Sequence, residues 1–319
     1  SWGTTLGNVL ADNGHNVKVY MRDSKASAEF NKNHTLNKYL PNVKFNDSMI
    51  STDDINEAGD CEIAVFAIPS QSIRSVLEEH SDLFQNCIVV NVSKGIEIKT
   101  GKVLSEVFAE FINKDNFVAL SGPTHAEEVA IKLPTTIVSS SVSIKNMEII
   151  QDVFMNDYFR VYTNPDLMGV EIGGATKNVL SLGIGIIDGL GYGDNSKAAI
   201  LTRGIHEIVR LGECIGAESK TFYGLTGIGD LIATSTSVHS RNRQAGILIG
   251  KGYSLEETEK EVGMVVEGIK TTKAVYELSR NLEVDMPITT EIYKLIYEDS
   301  NLESAYTKLM LRDRKEETL

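Results

Sequence analysis

The chain is short of cysteine, of basic residues and of long apolar runs, and each shortage argues against a class of function. Its 319 residues hold three cysteines, Cys61, Cys87 and Cys214. They are scattered, odd in number and in neither a CxxC nor a Cys/His spacing. That argues against a disulfide framework or a metal site and for small buried thiols in a reducing compartment. Lys and Arg number 31 against 44 Asp and Glu, a net charge of −13. Such a field opposes nucleic acid and anionic membranes, so an anionic ligand would need a local basic pocket. No stretch is expected to supply the roughly 20 apolar residues of a bilayer span. The greasiest, 179–190, is cut by Gly183, Gly185, Asp188 and Gly189. The start, Ser1-Trp2-Gly3-Thr4, shows neither the charged nor the apolar region of a secretory signal, and no initiator methionine. The expectation is a cytoplasmic protein long enough for two domains, with no nucleic-acid partner and no membrane insertion.

What is present falls into two patterns. Up to about Asn164, short apolar runs at 17–21, 62–68, 87–92, 117–120, 135–138 and 158–162 alternate with amphipathic stretches. Helices are expected at 4–13, closed by Gly14, and at 24–31, 70–80 and 102–112. Residues 33–47 read as a polar loop broken by Pro41. Short continuous strands between helices imply a parallel sheet covered on both faces, the doubly wound α/β pattern. From Pro165 onward only helices are expected, at 166–190, 195–215, 240–250, 254–262, 268–282, 287–298 and 301–311. The division is placed at 1–170 and 171–319, and 312–319 reads as a frayed charged tail.

The chemistry concentrates at a few places. Lys177 lies in Glu171-Ile-Gly-Gly-Ala-Thr-Lys-Asn-Val-Leu180, among glycines and aliphatics. A lysine there either snorkels to water or is held by a specific partner, and burial would lower its pKa toward proton-transfer range. Lys94 and the run Ser121-Gly122-Pro123-Thr124-His125-Ala126 follow strands, where open α/β sheets bind ligands; plain turn chemistry is the alternative. Asp230 is the one carboxylate in the Gly- and hydroxyl-rich 224–236. Ser240 is a natural N-cap, which leaves Arg241 and Asn242 in a first helical turn. Arginine is unfavourable for a bare helix start, so an anion bound there would explain it. Arg22 precedes Asp23 at the end of the first strand, which leans toward NADP without excluding NAD. Gly3, before a helix and a strand, looks like the third glycine of G-x-G-x-x-G, a weak signal alone. A preceding strand ending in Gly-x-Gly is expected. Strands 17–21 and 63–68 should then lie about two strand spacings apart, roughly 9–10 Å, instead of pairing.

Taken together these stretches resemble the bacterial-type NAD(P)-dependent glycerol-3-phosphate dehydrogenases. The match is carried by Ser1-Trp-Gly-Thr4, Ile68-Pro-Ser-Gln71, Ser93-Lys-Gly-Ile-Glu97, Ser121-Gly-Pro-Thr124, Gly173-Gly-Ala-Thr-Lys-Asn-Val179, Gly227-Ile-Gly-Asp-Leu231, His239-Ser-Arg-Asn-Arg243 and Val265-Val-Glu-Gly268. These cover essentially the whole chain in the family's order. The resemblance implies a Rossmann-type first domain, an all-helical second domain, and interconversion of dihydroxyacetone phosphate and glycerol 3-phosphate for phospholipid synthesis. It implies Lys177 as the acid/base. It implies Lys94, Gly122, Thr124, Lys177, Asp230, Ser240, Arg241 and Asn242 around the substrate. Ser1, Trp2, Arg22, Lys94, Ala126, Arg241, Val265 and Glu267 would surround NADP, with NAD as the other acceptable dinucleotide. No metal is required, and a homodimer is compatible. Thr176 departs from the bulkier apolar residue expected before the lysine. The rival readings are a reductase of a 3-hydroxy acid, which would not need Ser240–Arg243, and a non-catalytic dinucleotide sensor.

Overall fold

A computed structural model describes residues 1–298, 300–314 and 316–317. The first part runs α1 (Trp2–Asp12), β1 (Lys18–Tyr20), α2 (Ser24–Asn33), β2 (Thr35–Leu36), β3 (Leu40–Lys44), β4 (Ile50–Thr52), β5 (Ile63–Phe66), α3 (Ile73–His80), β6 (Ile88–Asn91), α4 (Leu104–Phe108), β7 (Phe117–Ser121), α5 (Ala126–Ala130), β8 (Thr135–Ser140), α6 (Ile144–Phe154) and β9 (Phe159–Thr163). Strand alternation explains the layering. Val89, Phe117 and Ala119 point to one side, into a cluster with Ile73 and Leu77 of α3 and Leu104 and Phe108 of α4. Their neighbours Val90, Val118 and Leu120 point to the other, against Leu6 and Val9 of α1 and Ile150 and Phe154 of α6. Both faces of the sheet are therefore covered, as the sequence pattern implies.

Strands β5 to β9 form one sheet in sequential order, and β1 pairs in parallel with β4 in a second ladder. Among the described residues no ladder joins β1 to β5, so the direct pairing that would mean a rearranged sheet is not found. Three expectations need correction. The loop 33–47 is not loop throughout: β2 and β3 make a small antiparallel pair, with Pro41 inside β3, and β4 follows. The sheet is not wholly parallel, because β8 runs antiparallel to β7. The connection between those strands holds only the five-residue α5, too little helix for a crossover back to the starting edge. The helix α6 is a genuine addition. Its exposed Ile144 (62%) blurs the apolar stripe by which it would be read.

The cysteines are also less uniform than expected. Cys87 is buried, Cys61 half-buried and Cys214 exposed at the end of a helix. Cys61 and Cys87 sit at the starts of adjacent strands, and the neighbouring Cys87 thiol holds the Cys61 pKa below its usual value.

Beyond Thr163 the described residues are helical: α7 (Leu167–Gly189), α8 (Asp194–Cys214), α9 (Ser219–Phe222), a π-helical turn (Leu225–Gly229), α10 (Asp230–Thr236), α11 (Arg241–Gly250), α12 (Leu255–Val262), α13 (Glu267–Asn281), α14 (Pro287–Tyr297) and α15 (Leu302–Met310). Of the expected tail, Arg312 bonds Asp285 at 2.8 Å, and 315, 318 and 319 lie outside the described residues. The axis of this half is α7, buried without a break from Gly169 to Ile187. Contrary to expectation it is long and apolar enough to cross a bilayer by length and composition, at mean hydropathy 1.2. Yet 94% of that window is buried inside the protein, the signature of a core helix.

Helix α11 lies almost in backbone contact with α7. A Cβ on Gly185 would stand 2.2 Å from the Arg243 carbonyl, and one on Gly246 would stand 2.1 Å from the Leu182 carbonyl. Gly189 and Gly250 repeat the fit one turn on, at 2.4 Å from the Ile247 and Ile186 carbonyls respectively. Two glycines four residues apart on each helix thus remove the side chains that would hold the helices apart. The fit places the start of α11 beside the helix that carries Lys177.

Candidate active site

Lys177 is 7% exposed and its ammonium has two partners. Nζ donates to Asp230 Oδ1 at 2.7 Å and to Thr234 Oγ1 at 2.5 Å. Asp230 is 1% exposed, at the first position of α10 directly after the π-helical turn. Its other oxygen, Oδ2, accepts from Lys94 Nζ at 2.6 Å, and the same Nζ donates to the Gly122 carbonyl at 2.9 Å. Thr124 Oγ1 turns back onto that carbonyl at 3.2 Å. One carboxylate therefore couples a lysine from the helical half to a lysine on the loop after β6, and Lys94 fastens the loop after β7.

Burial pulls the Lys177 pKa down, Asp230 pulls it up, and Lys94 and Arg241 pull it down again, leaving it at about 8. Burial works against the Asp230 carboxylate too, but the two ammonium groups win and hold it below the usual range. Two lysines on one buried acid, with Arg241 acting on Lys177 from farther off, make a locally positive cleft in a chain of net charge −13.

A second knot lies beside it. Ser240 caps α11, accepting from Arg243 N at 3.2 Å. Asn242, 8% exposed, donates Nδ2 to Asn178 Oδ1 at 2.8 Å and accepts the Gly268 N–H on Oδ1 at 2.8 Å. Its side chain is thus largely committed to joining α11, α7 and α13. Arg241 is the exposed member, with Nη1 donating to the Val265 carbonyl at 3.3 Å.

Two family models match the chain. One, described as the NAD-dependent glycerol-3-phosphate dehydrogenase N-terminus, covers residues 1–148; the other, the C-terminus of the same family, covers 166–307. The chain belongs to that family. A glycerol-3-phosphate dehydrogenase [NAD(P)+] of Geobacillus kaustophilus is 51% identical over 322 residues, covering 99% of this chain and 94% of the relative. The one from Clostridium botulinum is 49% identical over 319 residues, covering 99% and 96%. The solved glycerol-3-phosphate dehydrogenase of Coxiella burnetii superposes with a TM-score of 0.92 at 32% identity, covering 98% and 96%.

The remaining residues that the family resemblance names lie around the first part of the fold. Ser1 stands at the start of α1, where no side chain caps the helix and no acidic residue occupies the first turn. Trp2 packs against the sheet core, and Ala126, the first residue of α5, packs against the cluster that holds Ala11 and Phe30. Arg22 is exposed at the end of β1. Asp23 caps α2 through one oxygen, Oδ1, which accepts from Lys25 N and Ala26 N at 3.0 and 3.3 Å. Glu267 opens α13 and accepts from Ser70 Oγ at 2.9 Å, linking the loop after β5 to the helical half. The backbone N–H groups in the first turn of α1 and the exposed Arg22 have the chemistry that attracts phosphate groups.

Thr234 was not among the residues singled out. The signal available for it is its spacing: four residues after Asp230, it lies on the same face of a helix. Asn178, read only as a residue the family shares, proves to be the partner of Asn242.

Proposed function

We propose that this cleft reduces dihydroxyacetone phosphate, reversibly, with Lys177 as the acid/base. The observation that carries it is the buried Lys177–Asp230–Lys94 chain in a family whose named members are glycerol-3-phosphate dehydrogenases. The protein is an NAD(P)-dependent oxidoreductase that interconverts dihydroxyacetone phosphate and sn-glycerol 3-phosphate, supplying the latter for phospholipid synthesis. The dinucleotide supplies the hydride when bound. As charge builds on the carbonyl oxygen, the Lys177 ammonium stabilises it and delivers the proton. Asp230 and Thr234 fix the direction of that ammonium. Lys94 adds a second positive charge on the substrate side and keeps the Lys177 pKa low. Gly122 and Thr124 shape the loop over the substrate. The first turn of α11, with Arg241 at its mouth and Ser240 and Asn242 setting its geometry, takes the phosphate. That grip aligns the carbonyl from a distance.

On the dinucleotide side the proposed contacts are Ser1, Trp2, Arg22, Lys94, Ala126, Arg241, Val265 and Glu267. Arg22 is exposed beside Asp23, whose Oδ1 caps α2, and an arginine at that place supports NADP, with NAD as the other acceptable dinucleotide. The reading divides the chain at 170/171, one turn inside α7, between the strand-bearing part and the helical half. It also places the enzyme in the cytoplasm, acting on a small phosphorylated substrate as a homodimer, a form that light scattering tests.

The decisive assay is steady-state turnover with NADPH and NADH, comparing dihydroxyacetone phosphate with dihydroxyacetone. Arg241→Ala is expected to raise KM for the phosphorylated substrate and to slow its turnover as well. If dihydroxyacetone were reduced as efficiently as its phosphate, the anion site at 240–243 would be wrong, and the 3-hydroxy acid reading would gain.

A further inference from the structure

Arg243, the second arginine of 240–243, does not share the surroundings of Arg241. Its Nε and Nη2 donate to Asp188 Oδ2 at 2.9 and 2.6 Å. The other oxygen of Asp188 meets Lys197 Nζ at 3.0 Å, and Lys197 also holds Asp194 at 2.8 Å. One carboxylate thus fastens the last turn of α7, the first turn of α8 and the first turn of α11. The Asp188 and Arg243 side chains are 15% and 22% exposed, so the two-pronged contact is largely shielded. Burial pushes the Asp188 pKa up, but the Lys197 and Arg243 bonds outweigh it and hold the carboxyl below its usual range.

Each partner is at the wrong end of its own helix. An acid in the last turn of α7 and a base in the first turn of α11 both oppose the helix dipole. Neither position is explained by its own helix, and both are explained by the other residue. The glycine contact of α7 with α11 sets how closely the helices approach; Asp188 and Arg243 fix where the first turn of α11 lies along that contact.

We propose that Asp188 is a positioning residue for phosphate binding. It acts through Arg243, which locks the turn that presents Arg241 and the open N–H groups to the phosphate. The inference rests on the anion-site reading above. The test compares Asp188→Asn with wild type on dihydroxyacetone phosphate and on dihydroxyacetone, at fixed NADPH. KM for the phosphorylated substrate should rise about tenfold, the scale expected when a small displacement weakens a remote grip. The kcat for the phosphorylated substrate should fall by a smaller factor, because the same grip aligns its carbonyl, while kcat/KM for dihydroxyacetone should not move. Asp188→Glu, which can keep the paired contact, should restore most of the affinity. If Asp188→Asn does not fold, Arg243→Lys keeps the charge without the fork and should raise the same KM by a smaller factor.

Equal losses on both substrates, or an unchanged KM in a folded variant, would overturn the role. Arg241→Ala in the same assay separates the two levels. If it fails to narrow the gap between the substrates, the anion site itself is wrong. If it narrows the gap and Asp188→Asn does not, only the positioning role falls.

Discussion

Buried carboxylates stand in two kinds of place in this molecule, and they titrate in opposite directions. In the cleft, Asp230 faces two ammonium groups and is held below the usual carboxylate range. Elsewhere, Glu171 and Glu207 are also buried but are met chiefly by helix starts. Glu171 accepts from Ser105 N at 2.8 Å and from the Ser105 hydroxyl, at the first turn of α4. Glu207 accepts from Ile288 N at 2.6 Å and from Thr289 N at 3.1 Å, at the first turn of α14. Burial pushes both up to about 7 despite those bonds. Backbone donors at a helix start offset only part of the cost of burying a charge, whereas two opposite charges at contact offset more than all of it. The cleft therefore keeps a permanent negative centre around which its lysines are ordered, and the helix starts do not.

The harshest way to break the cleft side of this comparison is to remove Lys177. Lys177→Ala should fold, because Asp230 keeps Lys94 as a partner, and should still bind NADPH. Its kcat should fall by about 10³-fold or more, since proton delivery and oxyanion stabilisation are both lost. A variant that kept a tenth of the activity would rule out the acid/base role.

Titration probes the same centre more gently. With Lys177 at about 8, reduction needs the protonated form and should fall as pH rises through about 8. Oxidation of glycerol 3-phosphate needs the neutral amine and should rise over the same interval. In Asp230→Asn the charge that raises the Lys177 pKa is gone, so the alkaline limb of the reduction profile should move to lower pH and kcat should drop. A limb that stayed in place would show that the titrating group is not Lys177.

The smallest effect belongs to the helix starts. Glu207 binds its proton more tightly in the folded chain, about 7 against an ordinary 4.5. Between those values the folded state carries the extra proton, so this group's contribution to stability falls as pH rises and is lowest above about 7. Replacing it by glutamine removes the titration. Measured by denaturant unfolding at pH 4.5 and 7.5, Glu207→Gln should gain on wild type by about 3 kcal/mol across that interval. A difference between the two proteins that did not change with pH would mean that Glu207 is ionised throughout.

Most of the helical half was legible almost to the residue, but α9, the π-helical turn and α10, which carries Asp230 and Thr234, were not expected as helices in the glycine-rich 224–236 and its approach. The segments 166–190, 240–250 and 254–262 differ by a residue or so from Leu167–Gly189, Arg241–Gly250 and Leu255–Val262. Periodicity, the Ser240 and Ser254 caps and the glycines after helix ends are all local signals. The less legible parts were the ones whose pairing depends on distant chain. Strands β2 to β4 are two to five residues long, and nothing in such short polar segments states a partner. The reversal of β8 was hidden for the same reason.

By itself the sequence determined the two-part α/β and helical organisation, the oddity of a lysine among glycines in a core helix, and the cap-plus-arginine start of α11. These are properties of periodicity and residue type over a few turns. Only the tertiary structure decided which charges meet. That Asp230 is shared by Lys177 and Lys94, that Thr234 completes the lysine's contacts, and that Arg243 is bound to Asp188 while Arg241 stays at the cleft all depend on how helices cross. Those crossings were fixed by close approaches such as Gly185 against the Arg243 backbone. A charge-assisted hydrogen bond forms only when its partners stand about 2.7–2.9 Å apart, so it is set by the packing that brings distant residues together, which local pattern does not carry.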